Sequence, residues 1–114
     1  MQIINRTLAT LIAKPAFLAW VNNLPGDGGA LSEDDLRSDC NAYLIPEVES
    51  EEDLEKYFKK NFRTFLEAEL TDWSQDTALW PSPLTYALCE KFFDVDIQTV
   101  VYDLVPQDIE KDEV

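Results

Sequence analysis

Histidine is absent from these 114 residues. With it go the commonest general base near neutral pH, the Ser-His-Asp and Cys-His arrangements, and nearly all ordinary zinc sites. Cysteine is almost as scarce. Cys40 and Cys89 lie far apart, follow no metal spacing and lack a sequence neighbour that would strongly lower a thiol pKa, so both read as passive, reduced thiols. The three glycines fall together in Pro25-Gly26-Asp27-Gly28-Gly29, with acidic neighbours and no Lys-Ser/Thr behind them, which makes the stretch a loop and not a phosphate cradle. Cations are few: nine Lys and Arg stand against 23 Asp and Glu, for a net charge of −14. That balance repels phosphate and disfavours direct contact with nucleic acid or an anionic membrane surface, while leaving open a basic protein partner, a cation, or mimicry of nucleic-acid charge. Long apolar runs are missing too. Lys14, Pro15, Asn22 and Asn23 interrupt the best candidate, far short of the ~20 residues a bilayer needs. Met1 to Trp20 has neither a basic leader nor a long apolar core, and a cytoplasmic location is the expectation.

What is present suffices for one domain over residues 1–114. A hydrophobic content of 46%, with six Phe, three Trp and four Tyr, supplies a core without disulfides. A compact body of this size is expected to have a radius of gyration near ~13 Å and a surface of roughly 6,400 Å². Charge is uneven along it: +2 over residues 1–26, −10 over 27–55, +4 over 56–63 and −10 over the remainder. The acidic end, 106–114, is expected to be a flexible tail.

Alternation predicts a first strand over Ile3 to Ala13, with Leu8, Thr10 and Ile12 on one face and Thr7, Ala9 and Leu11 on the other. Pro15 suits the first turn of a helix carrying Phe17, Val21 and Leu24 on one side until Pro25. Ser32, answered by Asp35, caps a helical turn through Arg37. Ala42-Tyr43-Leu44-Ile45 is the second strand, closed by Pro46, which has no N–H for a ladder. Ser50 caps the longest helix, with Glu51, Glu52 and Asp53 at the positive end of its dipole. Leu54, Tyr57, Phe58, Phe62, Phe65 and Leu66 form its buried stripe, and Lys56, Lys59, Lys60 and Arg63 its wet back. Trp73 to Pro81 reads as an ordered loop, Ser82-Pro83 as the start of a helix burying Leu84, Leu88 and Phe92, and Val95 to Val105 as a last strand suited to the centre of the sheet. The result is an α+β fold of order βαβααβ, a three-stranded sheet with helices mainly on one face.

Chemistry-bearing groups are sparse. Asp94 and Asp96, two apart, would point to one face and together hold a divalent ion, although a helix-exit turn also favours Asp. The run Glu47, Glu49, Glu51, Glu52, Asp53 and Glu55 lacks the glycine and alternation of an EF-hand and reads as a solvated helix start. No catalytic, cofactor or metal residue is assigned. The candidate interaction surface is Trp73 and Trp80, in an aromatic and proline-rich segment that would otherwise be a lid over the core, together with the cationic Lys56, Lys59, Lys60 and Arg63.

The combination of Ile4-Asn5-Arg6-Thr7, Pro15-Ala16-Phe17-Leu18-Ala19-Trp20-Val21-Asn22, Ala42-Tyr43-Leu44-Ile45-Pro46-Glu47, Leu79-Trp80-Pro81 and Val101-Tyr102-Asp103-Leu104 resembles a family of short, acidic, uncharacterised bacterial proteins. The resemblance implies a compact bacterial cytosolic domain and lends no activity, cofactor, partner or functional residue. From charge and missing catalytic equipment, the leading expectation is a non-catalytic interaction or regulatory protein whose acidic surface meets a basic patch on another protein, or a second copy of itself. A carboxylate-dependent enzyme using a divalent metal, and a nucleic-acid mimic, are the alternatives. Apolar side chains on both faces of the sheet add the expectation of a homodimer.

Overall fold

The computed structural model describes residues 1–26 and 29–114. The fold is α+β, with a three-stranded antiparallel sheet and four helices. In chain order the elements are β1 (Gln2–Ile3), β2 (Thr7–Ala13), α1 (Pro15–Asn22), α2 (Glu33–Arg37), β3 (Ala42–Ile45), α3 (Glu51–Trp73), α4 (Tyr86–Phe92), β4 (Phe93–Gln98) and β5 (Tyr102–Asp103). A single 3₁₀ turn, Thr77–Leu79, lies between α3 and α4. The main sheet has the order β3-β2-β4, and β1 pairs with β5 in a separate two-stranded ribbon.

Alternation along β2 sorts its side chains as the sequence predicts. Thr7, Ala9, Leu11 and Ala13 are buried, and Leu8, Thr10 and Ile12 are half-buried on the reverse. All helices whose burial is resolved send their apolar sides to the first set. The core joins Ala9 and Leu11 to Phe17 and Val21 of α1, Leu36 of α2, Phe58, Phe65, Leu66 and Leu70 of α3, and Cys89 and Phe92 of α4. The helix starts are chemically specified. Pro15 occupies the first turn of α1. Ser32 Oγ accepts from Asp35 N–H at 3.2 Å while Asp35 Oδ2 accepts from Ser32 N–H at 2.8 Å, a reciprocal capping box. Ser50 Oγ accepts from Asp53 N–H at 3.1 Å to open α3.

Several boundaries differ from expectation, each for a local reason. The first strand is broken at Ile4 to Arg6, because Gln2–Ile3 pairs with β5 while Thr7–Ala13 pairs with β3 and β4. The last strand breaks likewise between Gln98 and Tyr102 and does not lie at the centre: β4 is an edge, and β2 takes the middle. The last helix begins at Tyr86, not at Ser82-Pro83, since Thr85 Oγ1 accepts from Leu88 N–H at 3.1 Å. Leu84 therefore precedes the helix. Trp73 closes α3 instead of opening a loop. No turn separates α4 from β4. Phe92 ends the helix and Phe93 starts the strand, both buried against Phe17 with centroids at 5.4 and 4.5 Å, so Asp94 and Asp96 are strand residues.

The molecule is also less compact than its mass suggests, with a radius of gyration of 15.7 Å and a surface of 8227 Å². Residues 106–114 are exposed and irregular, and the β1–β5 ribbon is separate from the main sheet. Among the described residues no helix is long and apolar enough to cross a membrane.

Candidate functional site

The residues singled out by the sequence do not form one surface. Lys56, Lys59, Lys60 and Arg63 line the exposed back of α3, but three of them are held by carboxylates one turn away: Lys56 to Glu52 at 3.3 Å, Lys59 to Glu55 at 2.9 Å and Arg63 to Glu67 at 3.0 Å. Such pairs stabilise an exposed helix and quench its field. Trp80 is half-buried against the core, its indole N–H donating to Ser74 C=O at 2.9 Å. Trp73, at the far end of α3, flanks a shallow hollow with Leu24, Pro25 and Leu31. Of the glycine loop, Asp27 and Gly28 lie outside the described residues. Asp94 and Asp96 do share one side of β4, opposite Ile12 and Thr10, where Asp94 approaches Lys14 Nζ at 3.8 Å. Among the described residues no three acidic or thiol side chains come together as ligands for one ion.

One polar cluster is buried. Glu69 sits beneath β3, where Oε1 accepts from the Tyr43 hydroxyl at 2.9 Å and Oε2 from Asn41 Nδ2 at 3.5 Å; Asn41 also donates to Asp72. Burial raises the Glu69 carboxyl above its usual range, partly opposed by the Tyr43 hydrogen bond, and burial beside Glu69 raises the Tyr43 phenol as well. No buried side-chain polar atom among the described residues lacks a partner, and the bonds from Tyr43 and Asn41 to Glu69 pin β3 to α3.

A polar-edged hollow of about 670 Å³ lies against β3, between Tyr43, Tyr57 and Phe65, and a more apolar groove lies at the other edge. β4, the first turns of α3 and the outer side of α4 enclose an apolar hollow of about 210 Å³ lined by Leu11, Leu54, Phe58, Tyr86, Cys89 and Val95, with Glu51, Glu55 and Glu90 at its rim. It continues past Leu54, Val95 and Ile97 into a second hollow of about 500 Å³ bounded by Val48, Glu49 and Thr99. Val95 is 42% exposed although it points to the core side of the sheet. Burial, reinforced by Glu90 and Glu69, pushes the Cys89 thiol up to about 11, which keeps it protonated and unreactive at neutral pH. Tyr86 is likewise raised by burial and by Glu90, and Lys59 stands 6.0 Å from its ring centroid.

Lys14 N–H donates to Phe92 C=O at 2.8 Å, which sets the phase of the antiparallel ladder. Ile12 with Asp94, Thr10 with Asp96 and Leu8 with Gln98 are then the hydrogen-bonded pairs, and Phe93, Val95 and Ile97 turn their N–H and C=O groups away from β2. Val95 and Ile97 have no backbone partner on that side among the described residues. Sequence reasoning missed this groove because its walls come from three separated segments, and the open edge depends on strand order. No protein family, curated protein or solved structure matches the chain.

Proposed function

We propose that this protein is a non-catalytic interaction module that takes an extended segment of a partner protein, alternately apolar and basic, along the outer edge of β4. The observation that carries the reading is the coincidence of outward N–H and C=O groups at Val95 and Ile97 with the apolar groove beside them. An added strand would satisfy those groups. Its alternate side chains would enter the hollow between Leu54, Phe58 and Val95, and the others would meet Asp94 and Asp96 on the opposite face of β4. The carboxylates of Glu49, Glu51, Glu55 and Glu90 around the groove, on a chain of net charge −14, favour basic side chains and accelerate their encounter. The reading includes membership of the short acidic bacterial proteins that the chain resembles, action in the cytoplasm, no cofactor, and no direct contact with nucleic acid or membrane.

The test uses fluorescein-labelled hexapeptides alternating Val with Lys or Val with Glu. The Val-Lys peptide should raise anisotropy, bind more weakly as salt increases, and shift the amide resonances of Val95 and Ile97; the Val-Glu peptide should do none of these. Val95→Pro removes an outward N–H and should abolish binding, and Asp96→Lys should weaken it. Undiminished binding to Val95→Pro, shifts confined to another surface, or no binding at millimolar peptide would each defeat the reading.

A further inference from the structure

We propose that the outer face of the β1–β5 ribbon is a self-association surface that packs against the same face of a second copy of this chain. Ile3 lies opposite Tyr102 and Gln2 opposite Asp103, and the Ile4 N–H bond to Val101 C=O at 3.0 Å carries the register one pair further. Strand alternation then separates two faces. Ile4 and Val101 fall on the half-buried one; Ile3 and Tyr102 share the other, with Met1 and Leu104 at the next positions in register and Val100 beside the ribbon's base. These five apolar residues are 51–84% exposed. Their side chains carry no charge, on a chain whose net charge is −14.

Area and charge together select the occupant. At these exposures each side chain presents on the order of 100 Å², so the face offers on the order of 500 Å², at the upper end of what a monomer normally leaves bare. Two such faces in contact would bury about 1,000 Å², the size at which an interface becomes specific. A basic partner would find no carboxylate here, whereas a two-fold copy brings a surface of the same shape and the same apolar character. The reverse face of the main sheet, the other place for a copy to pack, carries Asp94, Asp96 and Gln98 across from Ile12, Thr10 and Leu8 and would set carboxylates against carboxylates. Repulsion between the acidic bodies is screened beyond ~8 Å at physiological salt, so this contact strengthens as salt rises, opposite to peptide capture at β4.

The experiment is sedimentation velocity on the full chain at low and high salt, for the wild type, the double variant Tyr102→Thr/Leu104→Thr, and the single variant Leu104→Lys. A salt-strengthened dimer is expected for the wild type, weakened at least about tenfold in both variants, with circular dichroism unchanged and unfolding midpoints unchanged when compared at concentrations where all three are monomeric, because the replaced side chains are exposed. A wild type monomeric at every concentration and salt overturns the proposal. So does a dimer that survives both variants, which would place the contact elsewhere, or loss of fold in both, which would make the ribbon face part of the core. Peptide binding at β4 should be unaffected by either variant.

Discussion

β3 and β4 are the two edges of the sheet and flank the same central strand, yet they differ in what the long helix places beneath them. Beneath β3 the C-terminal half of α3 supplies large or hydrogen-bonding groups: Phe65 meets Tyr43 edge-on at 5.0 Å, and Glu69 accepts the Tyr43 hydroxyl. Ile45 is fully buried and Pro46 ends the strand. Beneath β4 the N-terminal turns of the same helix offer Glu51, Leu54 and Glu55, too short or too charged to fill the space below Val95 and Ile97. The charge that suits the positive end of the α3 dipole is thus also the charge that rims the groove. One helix packs and hydrogen-bonds beneath one edge and leaves an apolar groove beneath the other.

The largest expected effect is on the β3 side. Phe65→Ala should destabilise the fold by about 3–5 kcal/mol, as emptying a packed aromatic site does, and Phe58→Ala should approach it because the two rings stack at 5.0 Å. Val95→Ala, at the open edge, should cost under about 1 kcal/mol because the side chain is 42% exposed. Denaturant melts decide the matter. Equal losses at Phe65 and Val95 would mean that β4 is packed beneath as fully as β3.

Glu69 gives the next effect. Glu69→Ala leaves the half-buried Tyr43 hydroxyl without its acceptor and should cost about 1–3 kcal/mol. Glu69→Gln keeps an oxygen for Tyr43 and removes the titration. Because the folded carboxyl has a raised pKa, the native state holds its proton more tightly than the unfolded chain, so its contribution to stability is greatest below the ordinary Glu value of about 4.3 and declines as pH rises from there through the folded value. Wild-type stability minus that of Glu69→Gln, followed by urea melts, should therefore fall with rising pH across that window. A rising difference would place Glu69 in an environment that favours its charge.

These features differ in how far the sequence exposes them. Ser32, Ser50 and Pro15 act through neighbours within three residues, so their helix starts are readable directly. The apolar stripe of α3 and the two faces of β2 follow from period alone. Period does not say which strands are neighbours, and an apolar run such as Val100-Val101-Tyr102 reads the same whether it is central or, as here, at the base of an exposed ribbon. Nor can it choose between Ser82-Pro83 and Thr85 as the start of α4. The Lys56 to Arg63 face was legible as a block of like charge, but its neutralisation by Glu52, Glu55 and Glu67 requires side-chain geometry.

Lys59→Ala should leave stability nearly unchanged, since its partner Glu55 is also exposed and screened. It would nevertheless leave Glu55 unpaired at the groove, and affinity for a Val-Lys peptide should rise. Lower affinity, read by anisotropy, would show that Lys59 itself contacts the partner.

The smallest expected change in stability is also the sharpest test of the difference between the edges. Asp96 faces β2 with its backbone, paired to Thr10, whereas Val95 faces outward. Proline removes the N–H and fixes φ near −65°, which an edge strand accepts only where the lost donor pointed to solvent. Asp96→Pro should therefore break the ladder and cost about 3 kcal/mol or more. Val95→Pro should keep the β2–β4 ladder, lose part of one exposed side chain, and shift the unfolding midpoint only slightly. Melts of the two variants side by side measure the contrast within one strand. A large loss for Val95→Pro would show that its N–H already has a partner within the fold, in which case the β4 edge is closed and has no hydrogen-bonding capacity left for another chain.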